Sequence, residues 1–272
     1  MLMQFIEQDC FVDSKEKIAY PPVALSFGEK VIKSNKIEGD LIVPIPIGTY
    51  GNLSVVTAPP KTKKTFFISL LASCYLSGSN QFGGDIKGHK GNDGQLVHID
   101  TEQGLWHCQK VFERVHKMDS NIDSEIYHTF GLRSIDYKMR IEFIDYYLRE
   151  KIKTPSLVII DGIADLCSDA NNISESNQVV QKLMEWSAKY KCHIINVIHQ
   201  NFGSSKLGTG HLGSFLEKKA ETVIQLEANT VNKDWVTVKC GRSRGYAFET
   251  FSFEVNEFGL PQIVGDLYDP LK

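Results

Sequence analysis

The chain has 272 residues, of which 42% are hydrophobic and 23% are charged, a composition typical of one globular domain or two small ones. Its net charge of −3 excludes a protein that binds nucleic acid through overall positive charge, so any contact with a polyanion must be local. The six cysteines include no CxxC pair, which disfavours a zinc ribbon or a disulfide framework. No apolar run reaches the roughly 18 residues that span a bilayer, and the N-terminus lacks a signal-peptide pattern, so we expect a cytoplasmic protein without a membrane segment.

The first 50 residues mix short apolar patches with prolines and glycines and keep no helical or strand period. We expect an N-terminal arm with short strands over residues 1–50, followed by a separate domain over residues 51–272. Residues 78–95 are rich in glycine, asparagine and aspartate, a composition that predicts an irregular, mobile surface insertion.

From Leu53 onward, short apolar runs alternate with amphipathic segments, which predicts an α/β fold whose central sheet is mainly parallel and flanked by helices. Strands are predicted over residues 53–57, 96–100, 126–130, 157–161 and 194–199. Helices are predicted over residues 65–76, 104–117, 135–152 and 175–190. Alternating segments at 222–226, 235–239 and 248–255 predict an antiparallel C-terminal extension of the sheet.

The segment LSVVTAPPKTKKTFFISLLAS, residues 53–73, has the strand, loop and helix order of a P-loop. Aligned on G-x-x-x-x-G-K-[ST], Ala58 and Lys63 replace the two glycines, Lys64 is the motif lysine and Thr65 supplies the hydroxyl for Mg²⁺. Phosphate binding needs backbone N–H groups late in the loop, which residues other than proline carry. The candidate nucleotide-binding residues are Ala58, Pro59, Pro60, Lys61, Thr62, Lys63, Lys64, Thr65 and Phe66. The alternative is a lysine-rich turn that begins a surface helix.

Two apolar strands end in carboxylates. Asp100 and Glu102 follow the strand at 96–100, where a carboxylate beside a γ-phosphate can activate water; the alternative is a helix N-cap. Asp161 ends the strand SLVIID in the manner of a Walker B acid that holds Mg²⁺, although an aspartate there is also common in turns. We therefore expect Thr65 and Asp161 as metal ligands and Glu102 as the catalytic base.

Three further features follow in the chain. The strand HIINVIHQN ends at His199 and Gln200, where a polar amide can contact the γ-phosphate. A glycine-rich loop spans residues 201–214, and loops of this length are usually functional or disordered. Arg242 and Arg244 lie in a basic cluster, which is either a solvated strand edge or a source of guanidinium groups for a neighbour's γ-phosphate.

Taken in order, these motifs resemble the RecA-like P-loop ATPases, and VIHQN, GHLGSFLEKKAETVIQLE and GRSRG resemble the plasmid RepA and DnaB-type hexameric helicases and the stand-alone AAA-family ATPases of mobile elements. The resemblance implies that ATP and Mg²⁺ are cofactors, that Lys64 and Glu102 act in catalysis, and that Gln200 senses the γ-phosphate. It further implies that Arg242 and Arg244 act across a subunit interface. By the same resemblance, residues 201–213 form a DNA-binding loop in which Lys206 and His211 are the basic candidates.

The leading hypothesis is an ATP-dependent ring motor on single-stranded DNA, which we expect to be a homohexamer with primase or other replication or mobilisation proteins as partners. One alternative is a recombinase-like or regulatory ATPase that does not unwind DNA. Another is a scaffold that binds nucleotide or DNA without hydrolysis, because its P-loop lacks both glycines.

Overall fold

The computed structural model describes residues 3, 6–7, 10–33, 40–200 and 208–264. The strands are β1 (Val23–Ile32), β2 (Leu41–Thr49), β3 (Leu53–Ala58), β4 (Ile86–Gly88), β5 (Gln95–Asp100), β6 (Tyr127–Gly131), β7 (Pro155–Asp161), β8 (His193–His199), β9 (Thr222–Ala228), β10 (Val236–Ser243), β11 (Phe251–Val255) and β12 (Pro261–Val264). The longer helices are α1 (Lys64–Ser77), α2 (Leu105–Met118), α3 (Tyr137–Glu150), α4 (Ile173–Tyr190) and α5 (Gly210–Lys219). No helix among the described residues combines the length and apolar character needed to cross a membrane.

A nine-stranded sheet forms the centre of the described structure, in the order β12-β11-β10-β9-β3-β8-β7-β5-β6. The pairs from β9 through to β6 are parallel, whereas β9, β10, β11 and β12 pair antiparallel. The predicted fold class is therefore confirmed, including the antiparallel C-terminal extension. Because β3, β5, β7 and β8 are parallel neighbours, their carboxyl ends meet at one edge of the sheet, where ligands of open α/β sheets bind.

The strands are buried on both faces, as expected of a parallel sheet covered on two sides. Along β7, Leu157 and Ile159 pack into one core cluster with α1, while Val158 and Ile160 pack into a second cluster with α3 and α4. This alternation follows from the two-residue period of a strand. It explains why the sequence shows continuous apolar runs at these positions.

A smaller sheet has the order β2-β1-β4 and packs on the α1 side of the main sheet. Its third strand, β4, comes from the segment 78–95, so the expectation of an irregular insertion is wrong for residues 86–88, while most of the remaining segment consists of turns and irregular backbone. The backbone of Gly88 lies so close to Cys74 and Tyr75 of α1 that a β-carbon would overlap α1, and Ile86 is fully buried. These contacts are between distant segments, and local composition does not reveal them.

The expected division of the chain at residue 50 remains a prediction. Ala24, Leu25 and Ile47, on one side of that boundary, share a core cluster with Val56 and Phe67 on the other side. The described strands of the first 50 residues are therefore packed against the larger sheet.

Helix α5 begins within the predicted glycine-rich loop, so residues 210–213 form the start of a helix and not part of a loop. The glycines there serve close packing. A β-carbon on Gly210 would contact the backbone of Ala170, and one on Gly213 would overlap the backbone of Gly208. Gly210 also has a φ of 68°, in the left-handed region that glycine adopts readily.

Candidate nucleotide-binding site

Residues 58–65 connect the end of β3 to α1 and adopt backbone conformations that usually require glycine. Lys61 has a φ of 66° and Lys63 a φ of 54°, both in the left-handed region. Lys63 occupies the position of the second motif glycine and is the N-cap of α1. A non-glycine residue in this region costs about 1 kcal/mol or more, so the loop keeps the required backbone path at an energetic cost.

The loop and the first turn of α1 present unpaired amides. Among the described residues, the N–H groups of Thr62, Lys63, Lys64 and Thr65 find no acceptor, whereas the next two amides both donate to the Lys63 carbonyl. The Thr62 hydroxyl donates to the Pro59 carbonyl at 2.7 Å and holds the turn. Free N–H groups at a helix N-terminus, together with the helix dipole, favour an anion at this position.

The side chain of Lys64 lies at the centre of the site. The residue is 8% exposed, and its Nζ lies 2.7 Å from His199 Nδ1 and 3.1 Å from His199 Nε2. Burial lowers the pKa of Lys64, and the charges of Glu102 and Asp161 oppose that effect. The ammonium and the two carboxyl groups, which are far apart in the chain, are thus brought together as the sequence predicts.

Glu102 lies beside the same imidazole, with its Oε1 3.4 Å from His199 Nε2. The interaction with His199 lowers the pKa of Glu102, burial opposes it, and the charges of His199 and Lys64 lower it further. Glu102 therefore carries its negative charge at neutral pH. A carboxylate in this state can accept a proton from water.

Asp161 at the end of β7 is buried, with the Thr65 hydroxyl and the Lys64 ammonium nearby but outside hydrogen-bonding geometry. It is 2% exposed, and neither of its carboxylate oxygens receives a hydrogen bond from the described residues. Burial raises its pKa to about 7, the charges of Asp100 and Glu102 raise it further, and the Thr65 hydroxyl and the Lys64 ammonium oppose the change. A buried carboxylate with no partner is costly, so this position fits a bound cation.

Asp100, the register partner of Asp161 in β5, is satisfied locally. Its carboxylate accepts the N–H groups of Glu102 at 2.9 Å and Gln103 at 2.8 Å, and the Gln103 side-chain amide at 2.7 Å. The alternative of a helix N-cap is wrong for Asp100, because the N-cap of α2 is Gly104 and Asp100 holds the turn that precedes the helix. Because these bonds hold the turn that carries Glu102, they also position the Glu102 side chain.

The donor set fits magnesium bound together with a nucleotide. Among the described residues, no group of three His, Cys, Asp or Glu side chains is arranged to hold a metal ion. Magnesium is held in phosphate sites by one or two protein oxygens together with phosphate oxygens and water. The Asp161 carboxylate and the Thr65 hydroxyl are the protein oxygens available for that purpose.

Gln200 does not share this cluster. Its side-chain amide donates to Thr57 Oγ1 at 3.2 Å, and the residue is 8% exposed. His199 instead lies between Lys64 and Glu102, a position for which the sequence analysis predicted no role. Successive residues of a strand point in opposite directions, so only one of two adjacent polar residues can face the site, and this alternation was the available signal.

Arg242 and Arg244 lie toward the amino ends of the parallel strands, whereas Lys64 lies beyond their carboxyl ends. Arg242 pairs with Val223 near the start of β9, which runs parallel to β3, and both arginines are exposed. The Arg244 guanidinium donates to the Lys219 carbonyl at 3.0 Å. Val223 is in register with Val55 of β3, so Arg242 lies toward the amino ends of the parallel strands, whereas Lys64 follows the carboxyl end of β3.

The structure describes one of the two candidate DNA contacts. Lys206 lies outside the described residues. His211 lies near the start of α5 and is exposed, with its ring centroid 5.9 Å from that of Phe215. Gln200 and Gly208 form an isolated antiparallel bridge.

Comparison with known proteins agrees with this geometry. A family model described as an AAA domain matches residues 46–204, more than half of the chain. Among solved structures, the RadB recombinase matches with a TM-score of 0.53 and 15% identity, covering 78% of this chain and 91% of the recombinase chain. No curated protein matches the sequence. The chain therefore belongs to the AAA-domain family and has the fold of a RecA-like P-loop ATPase.

Proposed function

We propose that the protein is an ATP-hydrolysing motor that acts on single-stranded DNA as a ring, most simply a homohexamer. The observation that carries the hydrolysis step is the convergence of Lys64, Glu102 and the unpartnered Asp161 beside the free amides at the start of α1. A triphosphate matches this arrangement because it supplies negative charge to the amides and to Lys64.

Each residue has a distinct role in this proposal. The N–H groups of residues 62–65 and the Lys64 ammonium bind phosphate oxygens, as anions are bound at helix N-termini. Thr65 and Asp161 hold Mg²⁺, which when bound neutralises phosphate charge. The ionised Glu102 carboxylate orients a water molecule and accepts its proton during in-line attack on the γ-phosphate.

The exposed arginines support assembly into a multimer. Because Arg242 and Arg244 are remote from Lys64 of their own chain, a phosphate contact by either one requires a neighbouring subunit. Residues 201–213, with Lys206 and His211, are the proposed DNA contact, and repetition around a ring would concentrate few positive charges in one channel. Primase or other replication or mobilisation proteins are the proposed partners.

The likeness to the RadB recombinase favours a second candidate, a recombinase-like or regulatory ATPase that assembles on DNA without unwinding it. Electron microscopy with ATP and single-stranded DNA separates the two. Closed rings support the motor, and open helical filaments support the recombinase-like protein. The scaffold without hydrolysis is less well supported, because Lys63 adopts the glycine-like backbone conformation without a glycine.

The central experiment measures nucleotide binding and phosphate release with and without single-stranded DNA. Glu102→Gln should bind ATP as the wild type does and hydrolyse it at least about 100-fold more slowly, since the amide cannot accept the proton. Lys64→Ala should lose nucleotide affinity. Glu142→Gln, which changes an exposed glutamate of α3, is the matched control. Wild-type turnover in Glu102→Gln would remove Glu102 from its role, and no turnover by the wild-type protein would favour the scaffold.

A further inference from the structure

His199 lies between the two side chains that the proposed reaction requires, yet no role is assigned to it. It is the last residue of β8, and its side chain is 39% exposed. The Lys64 ammonium lies 2.7 Å from Nδ1 and 3.1 Å from Nε2, and Nε2 lies 3.4 Å from Glu102 Oε1. His199 therefore contacts both the phosphate-binding cation and the carboxylate.

The backbone of His199 is fixed, so the position of the ring is defined. Its carbonyl accepts both the backbone N–H and the hydroxyl of Thr209, each at 2.8 Å, and Ala58 is its register partner in β3. The residue is therefore held to the phosphate-binding loop on one side and to the start of α5 on the other.

The chemistry of the three groups sets the direction of the hydrogen bonds. A lysine ammonium has only donors, so Nδ1, the closer ring nitrogen, accepts from Lys64 in the tautomer that carries its proton on Nε2, the nitrogen next to Glu102. A phosphate oxygen is a stronger partner for an ammonium than a neutral imidazole nitrogen, because that hydrogen bond is assisted by opposite charges. Nucleotide binding would therefore draw Lys64 away and leave His199 with Glu102.

We propose that His199 is a positioning residue that holds Lys64 in the nucleotide-free protein and, once Lys64 has moved to the phosphates, orients the Glu102 carboxylate toward water. This inference rests on the proposed ATPase function. On this proposal His199, and not Gln200, is the residue at the end of β8 that acts on the hydrolytic site. The group that accepts the proton remains Glu102.

Two measurements test the proposal, one of binding and one of turnover. His199→Ala removes a competitor for Lys64, so a fluorescent ATP analogue should bind several-fold more tightly. Its kcat should fall about 10- to 100-fold, because a misplaced carboxylate loses much of its effect, and His199→Gln should recover part of the loss since an amide can accept from Lys64 and donate to Glu102. His107→Ala, which removes an exposed imidazole from α2, is the control.

The double variant Glu102→Gln/His199→Ala distinguishes a positioning role from a general structural one. If His199 acts through Glu102, the second substitution adds little to the loss caused by the first, since residues that act as a unit are not additive. Full additivity, or unchanged affinity and kcat in His199→Ala, would overturn the proposal. If the wild-type protein hydrolyses no ATP but His199→Ala still binds nucleotide more tightly, the ATPase proposal fails and the contact between His199 and Lys64 stands.

Discussion

Acid should destabilise the protein through His193, and the structure allows the effect to be estimated. His193 begins β8 and is fully buried, with Nδ1 2.8 Å from the Thr49 carbonyl oxygen and Nε2 2.8 Å from Ser54 Oγ. Burial lowers its pKa to about 4, although the hydrogen bond to the Thr49 carbonyl opposes the change. The folded protein therefore keeps this imidazole neutral.

The sign of the effect follows from proton uptake. An unfolded histidine has a pKa near 6.5, so below that pH the unfolded chain binds a proton that folded His193 does not, and stability falls as pH falls. The loss is about 2 kcal/mol between pH 8 and pH 5, and it reaches about 3 kcal/mol below pH 4.

Urea unfolding of the wild type and of His193→Gln at pH 8, 6 and 5 measures this contribution. The variant should be less stable at pH 8, because it loses packing and a hydrogen bond, and the gap should narrow by about 2 kcal/mol at pH 5. The difference between the two proteins cancels the titration of all other groups. His107→Gln controls for removal of an exposed histidine. A gap that stays constant with pH would refute the reasoning.

Three further substitutions test the structure. Gly48→Ala should destabilise the protein by about 1–3 kcal/mol in urea unfolding, because the new β-carbon overlaps the His193 ring, whereas Gly91→Ala enters open space and should be nearly neutral. In urea unfolding, Lys63→Gly should be about 1 kcal/mol more stable than Lys63→Ala. Both variants lose the lysine side chain, but only alanine is strained in the left-handed backbone conformation. Equal urea midpoints for the two variants would argue against that strain. Asp161→Asn, in buffer with a chelator, should raise the unfolding free energy by about 1–4 kcal/mol relative to the exposed-site control Asp93→Asn, because it removes a buried charge without a partner. A loss of stability in Asp161→Asn would show that the carboxylate is compensated in solution.

The sequence predicted the sheet well because the signal for buried parallel strands is local. The runs that became β5, β7 and β8 are apolar and end in polar residues, and packing on both faces requires this pattern. The convergence of Lys64, Glu102 and Asp161 was predictable from the same strand pattern, because parallel strands place their carboxyl ends at one edge of the sheet.

Other features depend on contacts between distant residues. The strand β4 forms because Ile86 and Gly88 fit against β1 and α1, and a glycine-rich segment carries no period that reveals such a fit. The start of α5 was missed for a related reason, since Gly210 and Gly213 reflect close approach of other backbone segments. The local sequence does not distinguish a glycine that allows close packing from a glycine in an open loop.

The amino-acid sequence by itself determined the class of fold, the order of the strands along the chain and the carboxylates at their ends, because hydrophobic period and residue chemistry are properties of short segments. The tertiary structure alone decided which of His199 and Gln200 faces Lys64, and that a lysine at position 63 adopts the backbone conformation of a glycine. The first outcome depends on the direction of side chains at a strand end, and the second depends on the energy of the whole packed chain. Neither can be read from a short segment of sequence.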